Sequence, residues 1–513
     1  MSGGSLSLRW SFVGHAIDGL RSVDCMQIQP ISLRAGPCPV SFIGCGDISG
    51  VNFSNDSRGI HCGDVFVAVR GSQVDGHAFL DRAAAAGASA VVVEEPVVHL
   101  SIPQCVVRDA RQTWAWIGMQ RLGNPAAHLR VSGVTGTNGK TTVTWLLRSI
   151  LRQAGLQTGM IGTIEYSDGL QTHPAGMTTP DPFDIAALFG QMVALKTTDC
   201  VMEISSHGLD QRRCSALQLS AAALTNITQD HFDYHGDFEQ YLRSKVRIAD
   251  LLASGVPLLV GIDDAGVRSA LVHLQHVPLR TFGLSADSDL RIQQLQPDET
   301  GQRLEVSVEG RRMELRTCLI GRHNALNVLA AAGMAHSLGI SPDVIQRGLE
   351  GLEHVPGRME HIHGGQSFRV VVDYAHTPDG LQHAIETLRV LTTGRVIVVF
   401  GAGGDRDRNK RPLMAKAAQS ADVAIVTSDN PRSESPREIL TEICGGFQAA
   451  FDYRQIVDRE QAIRAALSSA EPGDCVLIAG RGHESLQLIG TRQISFDDRR
   501  VTRRLLKDLG YTA

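Results

Sequence analysis

A glycine-rich decapeptide, GVTGTNGKTT at residues 133–142, carries the residue types that bind the phosphates of a nucleoside triphosphate. It follows a short β-like run at 129–131 and precedes an amphipathic, helix-like stretch at 141–154. Glycines let the backbone wrap around phosphate oxygens, the helix N-terminus adds partial positive charge, and Lys140 supplies a full charge. The hydroxyl of Thr141 suits a magnesium ion. The segment therefore predicts an ATP phosphate site.

The match to the general phosphate-binding loop is imperfect, because Val134 occupies the place of its first glycine. A GKT tripeptide also arises by chance, but the β-like run before it and the helical pattern after it favour the functional interpretation. The predicted ATP-binding residues of this segment are Gly136, Thr137, Asn138, Gly139, Lys140, Thr141 and Thr142.

Two polar segments downstream of the loop supply candidate metal ligands. Glu203 ends an apolar run in VMEISSHGLDQRR, and His231 lies in NITQDHFDYHG. Magnesium takes few protein ligands and keeps waters and substrate phosphates, so Glu203, His231 and Thr141 suit an ATP-linked magnesium site. Taken alone, His231 is more often a structural histidine, and His235 keeps a zinc site open as the less favoured alternative.

The segment FGAGGDRDRNKRP at 400–412 invites a dinucleotide-binding interpretation. That fingerprint needs glycine at its sixth position, where Arg406 stands, so an NAD site is not predicted. Arg406, Lys410 and Arg411 instead place cations after a β-like run, which suits a carboxylate or phosphate ligand. A solvated helix start is the alternative.

Length and composition indicate an enzyme of several domains. The 513 residues correspond to about three domains of ~100–200 residues each. The net charge is −5 and no basic run tracks phosphates, so no nucleic-acid partner is predicted. The ten cysteines form no C-x-x-C pair and several lie in apolar runs, such as Cys105 and Cys475, as in a reducing cytoplasm. No window reaches the ~18–20 apolar residues of a membrane span, so membrane insertion is not expected.

The elements that must position these residues follow from alternating β-like and helical patterns. Residues 65–69 and 90–94 are typical of strands and 77–86 of a helix, whereas 1–40 has little periodicity and is treated as an extension of uncertain order. Toward the C-terminus, four β-like runs predict a mostly parallel sheet, at 368–372, 395–400, 421–427 and 475–479. The predicted fold is α/β with three domains, at 1–107, 108–353 and 354–513.

Six motifs in this order carry a family resemblance: GTNGKTT, EISSHGL, TNITQDHFDYHG, GRHNALNVLAAA, DYAHTPDGL and GGDRDRNKRPLM. Together they resemble the Mur ligases, which build the peptide of bacterial peptidoglycan. The resemblance runs from about residue 55 to beyond residue 481. It implies an N-terminal UDP-sugar-binding domain, a central ATP-binding, P-loop ATPase-like domain and a C-terminal Rossmann-like domain that binds an amino acid.

The resemblance also implies the mechanism. ATP phosphorylates a carboxylate of the nucleotide-linked dipeptide, UDP-N-acetylmuramoyl-L-alanyl-D-glutamate, and an amine attacks the acyl phosphate. Lys140 and magnesium would offset charge on the moving phosphoryl group, and Asn324 would lie beside the adenine. Lys245 matches the position of a lysine that is carbamylated to bind a second magnesium, although the bare sequence would make it a surface lysine.

Contacts to the nucleotide-linked dipeptide are carried over by motif. Met177 stands where the family often has asparagine, which puts one polar contact in doubt, and each of these side chains could instead serve a turn or a helix cap. The predicted residues are Asn55, Ser57, Ser72, Gln73, Val74, Thr178, Thr179, Ser205, Gln211 and Arg213.

The DNPR and GRGHE segments are similar to those of family members that add meso-2,6-diaminopimelate. This amino acid differs from lysine by a second carboxylate, which an arginine can hold with two parallel hydrogen bonds. Arg432 is the candidate, with Asp429 and Glu484 for the distal ammonium; an ordinary turn is the alternative interpretation of DNPR. The predicted amino-acid site is Arg406, Asp429, Asn430, Pro431, Arg432, Gly480 and Glu484.

Other functions remain as alternatives: an L-lysine-adding or other Mur-type ligase, a folylpolyglutamate synthase, or a non-catalytic ATP-binding protein. The last would be expected to lack Lys140, Glu203, His231 or Lys245, and all four are present. A cytoplasmic monomer that closes around its substrates is expected.

Overall fold

The computed structural model describes residues 29–71, 74–297, 301–308 and 310–511. Within these ranges, helices and strands alternate through most of the chain, as an α/β fold requires. The first part holds β1 (Ile31–Ser32), β2 (Pro39–Ile43), β3 (Ser49–Gly50), β4 (Phe53–Ser54), β5 (Val65–Val67), α1 (Leu80–Ala85), β6 (Ala90–Val93), β7 (Gln104–Val107) and α2 (Ala110–Arg121). Short 3₁₀ helices lie at Leu33–Ala35, Gly76–Phe79 and Pro125–His128.

The middle of the chain begins with the strand and helix that flank the glycine-rich loop. Its elements are β8 (Arg130–Thr135), α3 (Lys140–Gln153), β9 (Thr158–Ile161), β10 (Glu165–Ser167), β11 (Thr172–Pro174), α4 (Pro182–Ala194), β12 (Asp199–Glu203), α5 (Ser206–Asp210), β13 (Leu219–Leu224), α6 (Phe232–His235), α7 (Phe238–Val246), β14 (Leu258–Gly261), α8 (Ala265–Ala270), β15 (Leu279–Gly283), β16 (Leu290–Pro297), β17 (Gln302–Val308), β18 (Arg311–Thr317), α9 (Arg322–Ser337) and α10 (Pro342–Glu350). Two further 3₁₀ helices lie at Arg247–Leu251 and Leu271–His273.

The last part of the chain is a regular alternation of strand and helix. Its elements are β19 (Glu360–His361), β20 (Arg369–Asp373), α11 (Pro378–Val390), β21 (Val396–Phe400), α12 (Lys410–Ala418), β22 (Val423–Val426), α13 (Pro436–Cys444), β23 (Tyr453–Gln455), α14 (Arg459–Ser469), β24 (Cys475–Ala479), β25 (Leu486–Ile489), β26 (Arg492–Ser495) and α15 (Asp498–Asp508).

The chain divides into two compact units. The first comprises the described residues from 29 to 133, together with 156–220 and 247–254. Its N-terminal sheet has the order β2-β7-β6-β5-β4, parallel except for β2. Its other strands pair in the order β11-β10-β9-β12. Both faces of the N-terminal sheet are buried, one around Val67 and Trp114 and the other around Phe66 and Leu80.

The second unit comprises 134–155, 221–246 and 255–513. Strands β13 to β16 run parallel in order, and β16, β17 and β18 continue as an antiparallel meander. The C-terminal sheet has the order β19-β20-β24-β21-β22-β23, with only β19 antiparallel. Helices cover both faces of this sheet, which explains its continuous apolar strands.

The strands predicted from sequence are present: β24 has the predicted bounds, and the bounds of β5, β6 and β20 differ from the predicted ones by one or two residues. The helix expected at 77–86 is instead a 3₁₀ turn followed by α1, because Asp75 caps the turn by accepting from the His77 amide at 2.9 Å. The expectation for 1–40 is corrected in part: β1 and a 3₁₀ turn form there, with Ile31 and Leu33 buried in the core. Residues 1–28 lie outside the described residues.

The predicted buried thiols are confirmed for two of the cysteines. Cys105 and Cys475 are fully buried in β7 and β24. Burial raises the pKa of each thiol to about 12. Both side chains therefore act as small apolar core residues. Within the described residues, no helix has the length and apolar character needed to cross a membrane.

Candidate functional site

The glycine-rich loop lies between the end of β8 and the start of α3 and depends on glycine at two positions. Gly136 has φ +150° and Gly139 has φ +89°, both in the region that side chains disfavour. A Cβ on Gly136 would collide with the Thr225 hydroxyl, and one on Gly139 with the Asn327 amide oxygen. The loop therefore packs too closely against its neighbours for any other residue.

Polar groups that follow β13 hold the backbone of the loop in place. The Asn138 amide donates to Asn226 Oδ1 at 2.8 Å, and the Thr225 hydroxyl donates to the Asn138 carbonyl at 2.6 Å. The Thr137 amide donates to the Asn226 carbonyl at 2.8 Å. These contacts fix the loop before any ligand binds, as a preorganised phosphate cradle requires.

Lys140 lies at the N-terminus of α3, where the helix dipole favours anions. Its ammonium group donates to the carbonyl oxygens of Gly136 at 2.8 Å and Thr137 at 3.0 Å. The charge therefore lies directly over the loop, in the position where it can neutralise phosphate oxygens.

A cavity of about 680 Å³ opens beside the loop. Its lining includes Asn138, Gly139, Asn327 and Asp379, with apolar walls from residues such as Phe282. A pocket of this size, with both polar and apolar lining, suits a nucleotide-sized ligand.

The predicted adenine-side residue, Asn324, is buried in α9 beside this cavity. Its amide donates to the Ile320 carbonyl at 2.8 Å, and its oxygen accepts from Asn327 at 3.1 Å. Asn327, three residues along the same helix, is the asparagine whose side chain lines the cavity. Sequence reasoning missed Asn327, although it is in the quoted GRHNALN motif.

Lys245 is buried in α7, with 1% of its surface exposed. Burial lowers the pKa of its amine well below the usual value, and the charge of Lys140 lowers it further against the opposing effect of Asp230. Its Nζ lies 4.5 Å from the centre of the Tyr241 ring, and the Tyr241 hydroxyl lies 3.0 Å from Thr137 Oγ1. Burial and the charge of Lys140 therefore both favour the neutral form of this amine, which lies next to Tyr241 beside the phosphate loop.

Ser244 and His235 are neighbours of each other near Lys245. The Ser244 hydroxyl donates to the Gln240 carbonyl at 2.9 Å and lies 3.2 Å from His235 Nδ1. His235 is buried against the Tyr241 ring. The contacts of His235 place it as a packing residue of α6 and α7.

His231 is paired with a carboxylate that sequence reasoning did not single out. Its Nε2 lies 3.3 Å from Asp230 Oδ2, and its backbone has φ +56°. Burial alone would raise the pKa of Asp230, but the charges of His231, His376 and Lys410 outweigh it and lower that pKa. The Asp230 carboxylate is therefore stabilised in its ionised form by groups from three different segments of the chain. The adjacent DH pair in the quoted motif was the available signal.

Arg358 is a second residue that the sequence did not reveal. Its guanidinium donates to the Thr141 hydroxyl at 3.1 Å and lies 4.4 Å from the centre of the Tyr374 ring. The next residue, Met359, is fastened by its amide to Asp373 at 2.6 Å. Arg358 thus places a positive charge at the start of α3.

The first unit carries its own group of predicted residues around Glu203, at the end of β12. Glu203 is 1% exposed, and its two oxygens accept from the Thr163 amide at 2.8 Å and the Thr163 hydroxyl at 2.9 Å. The same hydroxyl lies 3.1 Å from Thr178 Oγ1. Thr163 therefore orients the carboxylate, a role that sequence reasoning missed.

Four further predicted residues of this unit form one connected network. The Thr179 hydroxyl donates to the Glu203 carbonyl at 3.0 Å and accepts from the Ser205 amide at 2.9 Å. Arg213 donates to the Thr179 carbonyl at 2.6 Å and to Gln211 Oε1 at 2.7 Å. Met177 contacts this arginine through sulfur, at 3.6 Å, where a relative would offer an amide.

Three of the predicted uridine-nucleotide residues, Asn55, Ser57 and Val74, lie in loops outside the strands of the N-terminal sheet. Asn55 is exposed just after β4, and Ser57 is buried. Val74 is exposed and its carbonyl accepts from the Gly71 amide at 2.9 Å. Ser72 and Gln73 lie outside the described residues.

In the second unit, the structure brings the predicted amino-acid-binding residues together at the ends of β21, β22 and β24. We call Arg406, Asp429, Asn430, Arg432 and Glu484 the C-terminal cluster. The side-chain amide of Asn430, Nδ2, donates to Glu484 Oε2 at 2.9 Å. A Cβ on Gly480 would lie 2.8 Å from Asp429 Oδ2, so glycine leaves room for that carboxylate.

The arginines of the C-terminal cluster converge on the same loop. A Cβ on Gly403 would lie 2.9 Å from Arg432 Nη1 and 3.7 Å from the Arg406 side chain. Arg432 has φ +51°, and Pro431 immediately precedes it. Two cations and two carboxylates therefore share one small region, which suits a zwitterionic ligand with an additional carboxylate.

Arg411 requires a correction. The sequence placed it with Arg406 and Lys410 as a cation for a ligand, but it is fully buried. Its guanidinium is paired with Glu434 at 2.8 Å and Glu442 at 2.6 Å. The sequence could not show this pairing, because Glu434 precedes α13 and Glu442 lies within it, more than 20 positions from Arg411 along the chain.

A preorganised phosphate loop with a nucleotide-sized cavity, on an α/β scaffold, defines an ATP-binding enzyme. Family models match three stretches of the chain: a Mur ligase family catalytic domain at 51–117, a Mur ligase middle domain at 134–335, and a Mur ligase glutamate ligase domain at 357–482. The chain belongs to the Mur ligase family of ATP-dependent ligases.

Relatives and solved structures extend this match over the chain. A UDP-N-acetylmuramoyl-L-alanyl-D-glutamate–2,6-diaminopimelate ligase of Geobacillus kaustophilus is 41% identical, over 89% of this chain and 94% of its own. A solved structure of a ligase of the same name is 30% identical with TM-score 0.64, covering 90% and 96% of the two chains. The MurF ligase of Thermotoga maritima, in complex with ADP, shares the fold with TM-score 0.57 at 20% identity, covering 89% and 96%.

These findings confirm the predicted family, the three-domain α/β fold and the ATP-dependent ligase class. The domain boundaries and the individual site residues stay predictions.

Proposed function

We propose that the protein joins meso-2,6-diaminopimelate to UDP-N-acetylmuramoyl-L-alanyl-D-glutamate, with ATP as the source of activation. The observation that carries the amino-acid choice is the C-terminal cluster, in which Arg406 and Arg432 lie beside Asp429 and Glu484. The arginines bind the distal carboxylate of diaminopimelate, and the two acidic residues bind its distal ammonium. The names of the relatives that cover most of the chain support the same substrates.

In the proposed mechanism, ATP transfers its γ-phosphoryl group to the dipeptide carboxylate, and the diaminopimelate amine displaces phosphate to form an amide. The protein contributes mostly position and charge. Lys140 and the loop amides bind phosphate oxygens, while Arg358 adds positive charge near Thr141. The network of Thr178, Thr179, Ser205, Gln211 and Arg213 orients the dipeptide, and Asn55, Ser57 and Val74 contact the nucleotide.

Magnesium is the proposed metal, and the residues fit it chemically. Glu203 is an oriented buried carboxylate, and Thr141 offers a hydroxyl at the phosphate loop. His231 and carbamylated Lys245 complete the proposed ligands. Only a neutral amine attacks carbon dioxide, and the lowered pKa of Lys245 favours that form. When bound, magnesium would neutralise phosphate charge.

The setting and division of the chain are part of the same proposal. Precursors of this kind are small, soluble nucleotides, so we propose that the enzyme acts in the cytoplasm. We also propose that it is a monomer without nucleic-acid partners. The domains are 1–107 with the N-terminal extension, 108–353 and 354–513.

The deciding test is phosphate release and product formation with ATP, magnesium and the nucleotide-linked dipeptide. Parallel reactions contain meso-diaminopimelate or L-lysine. Tripeptide with diaminopimelate alone supports the proposal. A preference for lysine would retain the ligase and overturn the amino-acid choice. Release with neither would favour another ligase or a non-catalytic role.

Gly139→Ala is expected to raise the KM for ATP by about 10- to 100-fold, because the strained backbone and the collision with Asn327 displace the loop. Steady-state kinetics at varied ATP measures the effect. Gly155→Ala is the matched control: Gly155 also has positive φ, at +78°, but a Cβ there meets nothing within 4 Å. The control should lose some thermal stability and keep its KM for ATP. Equal increases in both variants would contradict a specific role of Gly139.

The affinity for diaminopimelate is expected to rise with pH. Burial, followed by the Asp429 carboxylate, raises the pKa of Glu484 to about 7. Below that pH the side chain is neutral, and above it the anion attracts the distal ammonium. The KM for diaminopimelate should therefore fall by up to about tenfold from pH 6 to pH 8. Kinetics at both pH values, with ATP and dipeptide saturating, measures this.

Glu484→Gln is the control for the pH dependence. Its KM for diaminopimelate should be high and nearly constant over the same pH range. A fall with pH that persists in this variant would assign the titration to another group, such as the attacking amine.

A further inference from the structure

Two loops of the second unit carry the arginines of the C-terminal cluster, and they lie at the ends of neighbouring parallel strands. Phe400 at the end of β21 is in register with Val426 at the end of β22. The Gly404 amide donates to the Asn430 carbonyl at 2.9 Å. A Cβ on Gly404 would collide with the Pro431 carbonyl, so the loops are in backbone contact.

Each loop contains a residue in a conformation that costs free energy. Asp405 has φ +52° and Arg432 has φ +51°, in the left-handed region that non-glycine residues rarely adopt. Such conformations persist only where surrounding contacts hold them. Arg432 donates to the Gly404 carbonyl at 2.7 Å, and Ser433 Oγ donates to Asp405 at 2.6 Å. The position of the Arg432 guanidinium therefore depends on how the loops are fastened.

Glu434 is the residue that fastens both loops to the body of the domain. Its Oε1 accepts from the Asp405 amide at 2.6 Å, which joins its own loop to the first one. Its two oxygens also accept from both terminal nitrogens of Arg411, at 2.8 and 3.0 Å. Arg411 lies fully buried on α12, so the pair has a fixed base.

The charges of Glu434 and Arg411 strengthen the contact between them. Hydrogen bonds from Arg411, opposed by burial and aided by the Asp405 amide, lower the pKa of Glu434 to about 2. The carboxylate is therefore ionised across the working pH range. Glu442 also contacts Arg411, at 2.6 Å, and its other oxygen lies 3.2 Å from Arg408. Among the described residues, it makes no hydrogen bond to 403–406 or to 431–434.

We propose that the Glu434–Arg411 pair is a positioning device for amino-acid selection. It holds the 403–406 loop and the 431–434 loop together, so that Arg432 meets the distal carboxylate of the incoming amino acid. Neither residue touches the substrate. This role rests on the proposed function, because it concerns the choice of diaminopimelate over lysine.

The test is Glu434→Gln, which keeps the side-chain shape and removes the charge. A small displacement of a binding group costs up to about 100-fold, so the KM for diaminopimelate should rise about 10- to 100-fold. The kcat and the KM for ATP should be unchanged, and the preference for diaminopimelate over L-lysine should narrow by a similar factor. Steady-state kinetics with both amino acids measures whether the KM for diaminopimelate changes while kcat and the KM for ATP do not.

Glu442→Gln is the matched control, because it removes a carboxylate from the same arginine without touching the loops. It should keep the wild-type KM for diaminopimelate. An unchanged KM in Glu434→Gln, or equal increases in both variants, would overturn the proposal.

A second variant keeps the proposal testable if Glu434→Gln does not fold. Ser433→Ala removes only the exposed hydroxyl that donates to Asp405. It should raise the KM for diaminopimelate by a smaller factor, and an unchanged value would overturn the positioning role. If wild-type enzyme forms no product with diaminopimelate, the proposed function fails instead.

Discussion

Lys245→Ala is expected to lose ligation, with kcat lowered by about 10³-fold, the scale of removing one preorganised electrostatic group. The residue is buried beside Tyr241, and burial followed by the charge of Lys140 lowers the pKa of its amine. A neutral amine in that place can take up carbon dioxide and become an anion for magnesium. Small carboxylates such as acetate should partly restore activity, because they can supply the missing negative charge. Phosphate release with all three substrates, with and without added carboxylate, measures both effects.

Two further variants separate this role from a general loss of stability. Lys245→Arg keeps a cation that cannot become neutral or be carbamylated, so it should also be inactive and should resist rescue. Lys416→Ala, at an exposed position of α12, should behave as wild type. Full activity in Lys245→Ala would refute the assignment, and mass spectrometry of the intact wild-type protein can detect the added carboxyl group.

Arg432→Ala is expected to raise the KM for diaminopimelate by about 30- to 150-fold, equivalent to about 2–3 kcal/mol for hydrogen bonds to a charged group. The KM for ATP should not change, because the phosphate loop has its own contacts with Asn226 and Thr225. Use of L-lysine should change little, since lysine has no distal carboxylate for the arginine to bind. Kinetics with both amino acids measures the difference.

The comparison variants for Arg432 test geometry as well as charge. Arg432→Lys keeps the charge but loses the two parallel hydrogen bonds, so its KM should lie between those of wild type and Arg432→Ala. Arg437→Ala, an exposed arginine of α13, should leave the KM unchanged. Equal losses for diaminopimelate and ATP in Arg432→Ala would indicate a folding defect.

The local parts of the site could be predicted from sequence because their physics is local. Gly136 and Gly139 are required by positive φ within the loop itself, and Lys140 follows from the helix that begins there. The strand-like runs of the C-terminal domain are mostly apolar, as strands covered on both faces must be. These features depend on residues that are close together in the chain.

The contacts that join distant segments could not be predicted. Asn324 and Asn327 lie one helical turn apart, and only packing decides that Asn327 lines the cavity. The sequence marked Arg411 as a ligand cation, but Glu434 and Glu442 bury it in ion pairs. Arg358 gave no pattern of its own, since it acts on Thr141 from a distance of 217 positions along the chain.

The sequence by itself determined the ligase family, the α/β class and the residue types of the phosphate loop and the DNPR segment, because motifs and strand periodicity are short-range properties. Only the tertiary structure decided which side chains are buried, paired or neutral. Lys245 shows the difference: its chemical type is written in the chain, but its lowered pKa arises from the burial and charges that folding assembles around it.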